Sequence, residues 1–188
     1  GGGPSGASAA LFLEKKGYRV ALLDQSVFPR DKVCGEFISP AADDIFSDLG
    51  ILESIEAMNP TRLCGVALSA YERSYLQVDY PDTVDGRTMT SLSVERSILD
   101  DLMINQVRNS NIQLMEGFKV TDLLFDGGNV CGVKGHDETK TKFSIKAKVV
   151  IDGGGRNSIS LRRLNLRRGS LGKGKIALAA HWEGVKEL

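Results

Sequence analysis

"GGGPSGASAALFLEKKGYRVALLDQ", Gly1 to Gln25, decides how the rest of this chain is read. Gly1, Gly3 and Gly6 cluster ahead of an alanine-rich stretch, and glycine at that density belongs where backbone must come close to another group. Ala7, Ala9, Ala10, Leu11 and Leu13 favour a helix from Pro4 to Lys16; Gly17 supplies its stop, with Lys15 and Lys16 at the negative end of the dipole. "YRVALLD", Tyr18 to Asp24, then reads as a buried strand that ends on an acid.

The three glycines match the pattern G-x-G-x-x-G, in which each has its own task. The first makes the turn, the second lets a pyrophosphate approach, and the third lets helix pack on strand. The helix that starts at Pro4 and Ser5 offers unpaired N–H groups to an anion. Asp24, with Gln25 beside it, falls about 20 residues on, where a carboxylate can accept hydrogen bonds from ribose hydroxyls. The plainer alternative for Asp24 is a polar residue that ends a strand. A strand would be expected to feed such a turn, so the chain reads as an internal fragment that is not expected to be active alone.

Composition sets wide bounds. The 188 residues suffice for one good core, or for a lobe and part of a second. Acidic and basic residues balance at 24 each, which argues against nucleic acid as the partner. No apolar run approaches the ~18 residues of a membrane span. Cys34, Cys64 and Cys131 are far apart, odd in number and in no metal-binding spacing, so no metal site is expected and a reducing cytoplasm is the simplest location.

Further along, Ser39 as N-cap and Pro40 at the first helical position signal a second helix with an apolar stripe of Ala42, Ile45, Phe46 and Leu49, closed by Gly50. Residues 62–90 are strand-like, with loop punctuation at Pro81, Asp82 and Gly86. "SVERSILDDLMINQV", Ser93 to Val107, predicts a helix with Val94, Ile98, Leu99 and Leu102 on one face and Arg96 well off it. From Ile112 short strands follow, with a turn at "DGGN", and "AKVVIDGGGRNS" predicts an apolar strand that runs into glycines.

Three stretches carry a resemblance. "FPRDKVCGEFISP", Phe28 to Pro40, resembles the Pro-Arg-x-Lys-x-Cys-Gly signature of the geranylgeranyl reductase-like flavoproteins. That branch belongs to a superfamily with p-hydroxybenzoate-hydroxylase-like monooxygenases and flavin-dependent halogenases. "VERSILDDLM" is similar to the superfamily's Arg-x-x-Leu-Asp-x-x-Leu helix, and "VVIDGGGRNS" to its second nucleotide-contacting segment. The resemblance runs from Gly1 to about Leu166 in the expected order.

It implies an α/β fold: a Rossmann-like FAD-binding domain with a parallel sheet and a β-meander, plus part of a smaller β-rich substrate domain. Residues 1–60 and 91–160 would form the FAD-binding domain, 61–90 strands of the substrate domain, and 161–188 the start of the rest of it. Carried over residue by residue, Gly1, Gly3, Pro4, Ser5 and Gly6 would hold the pyrophosphate of FAD, and Asp24 with Gln25 the adenosine ribose. Arg30 and Arg96 would contact FAD from either side, as planar forks of donors suited to phosphate oxygens; the alternative for each is a solvated surface charge. Backbone at Val120 would lie beside the adenine, and Asp152 and Gly155 would belong to the second segment. Cys34, Gly35 and Glu36 would lie near the isoalloxazine or the substrate as the catalytic candidates, against the bland alternatives of a small thiol and a loop carboxylate. One departure is that Gly154 stands where many relatives carry the second segment's acid, with Asp152 two residues earlier. Another is that the superfamily's third, Gly-Asp fingerprint has no counterpart in these residues.

The activity implied is reduction of a carbon–carbon double bond in a prenyl or related hydrophobic small molecule, with NAD(P)H as electron donor. A prenyl-lipid substrate would bring loose membrane association. The alternatives are an NAD(P)H- and oxygen-dependent monooxygenase, or a non-catalytic module that binds NAD or FAD. The halogenases' Trp-x-Trp-x-Ile-Pro stretch finds no match around the lone Trp182. Oligomeric state is left open.

Overall fold

The computed structural model describes residues 1–34, 36–70, 74–84, 86–166, 178–182 and 184. In chain order its elements are α1 (Pro4–Lys15), β1 (Ala21–Leu23), β2 (Phe37–Ile38), α2 (Ala42–Leu49), α3 (Leu52–Glu56), β3 (Thr61–Leu63), β4 (Gly65–Ala70), β5 (Ser74–Asp79), β6 (Thr83–Val84), β7 (Arg87–Thr88) and β8 (Ser91–Ser93). They continue with α4 (Arg96–Arg108), β9 (Gln113–Met115), β10 (Lys119–Asp126), β11 (Asn129–His136), β12 (Lys142–Lys146) and α5 (Ile159–Arg163).

The alanine-rich run forms α1 because its small residues allow close approach. Gly6, Ala7, Ala10 and Leu11 are buried, and Pro4 stands in the first turn, where no N–H is needed. β1 follows and pairs in parallel with β9, with Leu22 opposite Leu114. A parallel pair needs a crossover, and this one brings in α4, which packs on α1. Ala7, Met103, Ile104 and Val107 are sealed in that interface, each large side chain worth roughly 1.5–3 kcal/mol when fully buried.

β10, β11 and β12 form an antiparallel meander. Its first turn is at "DGGN", where Gly127 and Gly128 take φ of 54° and 84° between the paired Asp126 and Asn129, a two-residue hairpin that demands left-handed backbone. The meander is tied to the sheet by Phe118 N–H, which donates to the Asp24 carbonyl at 2.8 Å. β2, β8 and β3 make a second small sheet, and β4–β5 a hairpin. The molecule is thus a mixed α/β, Rossmann-like fold with both parallel and antiparallel pairing. No described helix is long and apolar enough to cross a membrane.

Three expectations shift. α2 begins at Ala42, not after Ser39, because Ala42 N–H and Asp43 N–H bond back to the Ser39 and Pro40 carbonyls in a tight turn that precedes it. The buried face of α4 is Leu99, Asp100, Met103, Ile104 and Val107, while Ile98 is exposed and Leu102 half-buried; α1 lies against a face rotated from the predicted one. The stretch 147–152 is not a strand: no strand among the described residues pairs with it, and Val149 and Ile151 are exposed.

Candidate cofactor site

The two glycine runs, far apart in sequence, meet backbone to backbone. A Cβ at Gly1 would stand 2.5 Å from the Gly153 carbonyl oxygen, one at Gly153 would stand 3.0 Å from Gly6 Cα, and one at Gly6 would overlap the Gly1 carbonyl oxygen. Gly1 and Gly6 leave no room for a side chain, and at Gly153 the neighbouring backbone would have to give way by a few tenths of an ångström. Gly153, which the sequence did not single out, closes the turn from behind.

Gly3 caps α1 with extended backbone and no side-chain acceptor, and the helix carries no acid in its first turn. Its N-terminal N–H groups are therefore open to an anion. A Cβ at Gly3 would lie 3.6 Å from Arg30 Nη2 and 3.7 Å from Arg96 Nη2, so two guanidiniums from separate segments converge on the same helix end. Pro4 and Ser5 form the first helical positions beside them.

Asp24, at the end of β1, is buried and faces the turn. Its Oδ2 accepts from Gly2 N–H at 2.7 Å and its Oδ1 from Ser26 N–H at 2.8 Å. Arg30 Nη2 stands 4.0 Å away, and the Arg30 guanidinium lies over the Phe28 ring at 4.7 Å. Behind both arginines sits Asp100, the acid of the Arg-x-x-Leu-Asp stretch, assigned no role from the sequence and 0% exposed. Arg96 grips it through Nε at 2.8 Å and Nη2 at 2.9 Å, and Arg30 Nη1 is 3.3 Å from it. Its signal in the sequence is that Arg-x-x-Leu-Asp pattern, which sets it i,i+4 from Arg96. Asp100 raises the Arg96 pKa above its ordinary value through these hydrogen bonds, against the opposing effect of burial, with the Cys34 sulfur facing the same guanidinium adding to the rise.

The remaining candidates are distributed around this centre. Gln25 lines a cleft of about 290 Å³ with Ser26, Lys119 and His136. Val120 lies on β10 opposite Gly135, two residues beyond the Phe118–Asp24 anchor. Asp152 turns inward on its own loop: Oδ1 accepts from Gly154 N–H at 2.8 Å, and Oδ2 from Ser158 Oγ at 2.7 Å and Ser160 N–H at 2.8 Å. Burial alone would push its carboxyl up, but these donors outweigh it and bring the pKa down to about 2. Gly155 has φ of 61° and begins a short 3-10 turn over Gly155–Asn157.

Cys34 and Glu36 line a second cleft of about 210 Å³ with Ser97 and His181. Glu36 has a left-handed φ of 55°, uncommon for a residue with a Cβ, and its Oε2 is 3.0 Å from His181 Nε2. Gly35 lies outside the described residues.

Uncapped helix end, glycine cradle, paired arginines and strand-end acid make a Rossmann-like arrangement that can accept an anion such as a phosphate. The chain belongs to the FAD binding domain family, whose model matches residues 1–182. It is similar to a menaquinone reductase of Mycolicibacterium smegmatis, 30% identical over 126 residues that make up 67% of this chain and 30% of that protein. It is also similar to squalene monooxygenase of Mus musculus, 24% identical over 187 residues, 98% of this chain and 31% of the relative. Among solved structures it resembles the flavin-dependent halogenase CmlS, with TM-score 0.76 and 28% identity over 88% of this chain and 30% of that one. The chain spans less than half the length of the curated relatives it matches. These findings establish the flavoprotein family and the wider monooxygenase and halogenase superfamily; they do not single out the geranylgeranyl reductase-like branch.

Proposed function

We propose that the protein is a flavin-dependent oxidoreductase of the monooxygenase type and that this chain holds the diphosphate and adenosine of its FAD. One observation carries the reading: Arg30 and Arg96, from separate segments, converge on the uncapped end of α1 at Gly3. Gly1, Gly3, Pro4, Ser5 and Gly6 present backbone to the phosphates, and the arginines supply charge and fixed forks of donors. Asp24, held by two N–H groups, and Gln25 serve the ribose, and backbone at Val120 the adenine. Asp152 acts at one remove, fixing the loop of Gly153 to Gly155 that backs the turn. Bound FAD supplies the electron transfer and oxygen chemistry that amino-acid side chains lack. Cys34, Gly35 and Glu36 serve the reacting end, with the Glu36 carboxyl group as proton donor in its acid form or as polar anchor.

The names of the relatives support oxygen as co-substrate, since a squalene monooxygenase and a flavin-dependent halogenase share this lobe. Within that superfamily, a second reading is favoured by the Phe28–Pro40 signature and by the menaquinone reductase: reduction of a double bond in a prenyl-like, hydrophobic substrate with NAD(P)H, loosely associated with membrane. The full-length protein decides. It is expected to purify yellow and to oxidise NAD(P)H with product formation that stops when oxygen is removed. Turnover that persists without oxygen selects the reductase. Colourless protein whose melting point responds to NAD overturns both.

A further inference from the structure

We infer that Asp100 is the positioning residue of this site: one buried carboxylate holds Arg30 and Arg96 where a diphosphate meets them, an inference that rests on the flavin reading above. The two arginines come from different parts of the chain, the loop after β1 and the first turn of α4. Each is a long side chain with many rotamers, and each repels the other. Asp100 is where both are anchored: Oδ1 takes Arg96 Nε, and Oδ2 takes Arg96 Nη2 and faces Arg30 Nη1 at 3.3 Å. Asp24 holds neither arginine so closely: its approach to Arg30 is 4.0 Å. A planar guanidinium held along one edge is fixed in orientation, and here Nη2 of each arginine is the atom that stands beside Gly3.

Charge and position predict opposite outcomes. Asp100 is negative beside an anion site, so if it acts only by its charge, Asp100→Asn tightens FAD binding. If it acts by holding the arginines, the same change weakens binding although the site becomes more positive. The test titrates FAD into the full-length protein freed of cofactor and reads the quenching of flavin fluorescence for wild type, Asp100→Asn, Asp100→Glu, Arg96→Lys and the double variant Arg96→Lys/Asp100→Asn, with melting curves alongside. Asp100→Asn is expected to weaken FAD at least roughly tenfold, about 1.4 kcal/mol. Asp100→Glu should recover part of that loss, and the double variant should bind about as weakly as the worse single one, since both changes break one unit. Binding by Asp100→Asn within about twofold of wild type, or tighter, overturns the inference, as do losses that multiply in the double variant. If Asp100→Asn fails to melt cooperatively, the same cycle is read with Asp100→Glu and Arg96→Lys. Wild-type protein that binds no FAD overturns the flavin reading itself and takes the inference with it; wild type that binds while Asp100→Asn is unaffected overturns the inference alone.

Discussion

Leu99, Met103, Ile104 and Val107 on α4 are sealed against α1, whereas Leu68, Tyr75, Leu76 and Val78 on the β4–β5 hairpin are 50 to 67% exposed. The side chains are of the same kind; their neighbours differ. α4 is packed onto the small residues of α1, and the same buried face carries Asp100 with its two arginines, so helix, glycine turn and ion cluster share one packed unit. The hairpin is held mainly by its ladder, from Gly65 opposite Asp79 to Ala70 opposite Ser74, and no helix packs extensively on it among the described residues. Apolar content therefore says little about local stability here; a facing surface decides it.

The largest effect is expected at Ile104, which is fully buried and whose Cδ1 lies 3.1 Å from where a Cβ at Gly2 would be. Ile104→Ala removes the support beneath the glycine turn and should cost about 3–4 kcal/mol in denaturant unfolding, with weakened FAD binding as a second readout. A cost below about 1 kcal/mol would mean that the helix pair is not the stable half. Next is Gly6→Ala. The added methyl meets backbone oxygen, which cannot swing aside, so a loss of about 2–3 kcal/mol and of FAD affinity is expected. If Gly6→Ala unfolds at the wild-type denaturant midpoint, the close approach of the two glycine runs is disproved.

Much of this half was legible because local rules and tertiary needs agree there. Glycines, proline and alanines at 1–16 announce α1, and the structure brings Gly1, Gly3, Gly6, Asp24, Arg30 and Arg96 together. What escaped depends on neighbours distant in sequence. Gly153 matters only because Gly1 and Gly6 lie against it. Asp100 resembles any helix acid until two guanidiniums bury it, and Arg96, read as lying off the apolar face, turns inward to meet it. The start of α2 was misplaced because Ser39 and Pro40 form a turn of their own, accepting from Ala42 and Asp43. Val149 to Ile151 has strand composition, but a strand also needs a laddered neighbour.

Asp152 sharpens the comparison at the edge of the packed half. Its folded pKa of about 2 lies below its ordinary 3.8, so its contribution is fully present above pH 3.8 and is lost as pH falls toward about 2. Discounted for its partial exposure, that shift amounts to about 1–2 kcal/mol. Asp152→Ala should lower stability by that amount at neutral pH, and the gap between the two proteins should roughly halve by about pH 3. A gap that does not change with pH would mean that the loop donors do not depend on the charge.

The smallest effect belongs to the hairpin. Leu76 faces Leu68 across the ladder, and both are more than half exposed. Leu76→Ser removes one cross-strand apolar pair and leaves no cavity, since no third layer closes over it among the described residues, so the expected loss is about 0.5 kcal/mol in the 188-residue chain. The serine hydroxyl stays in water and carries no burial penalty. Set beside Ile104→Ala, the contrast is severalfold for a comparable loss of apolar surface, and equal costs at the two sites would show that the hairpin face is covered in solution. Both are aliphatic side chains of similar size, so most of the difference between the two costs reports the packing around each, and a large ratio marks the helix pair under the cofactor site as the better-packed half.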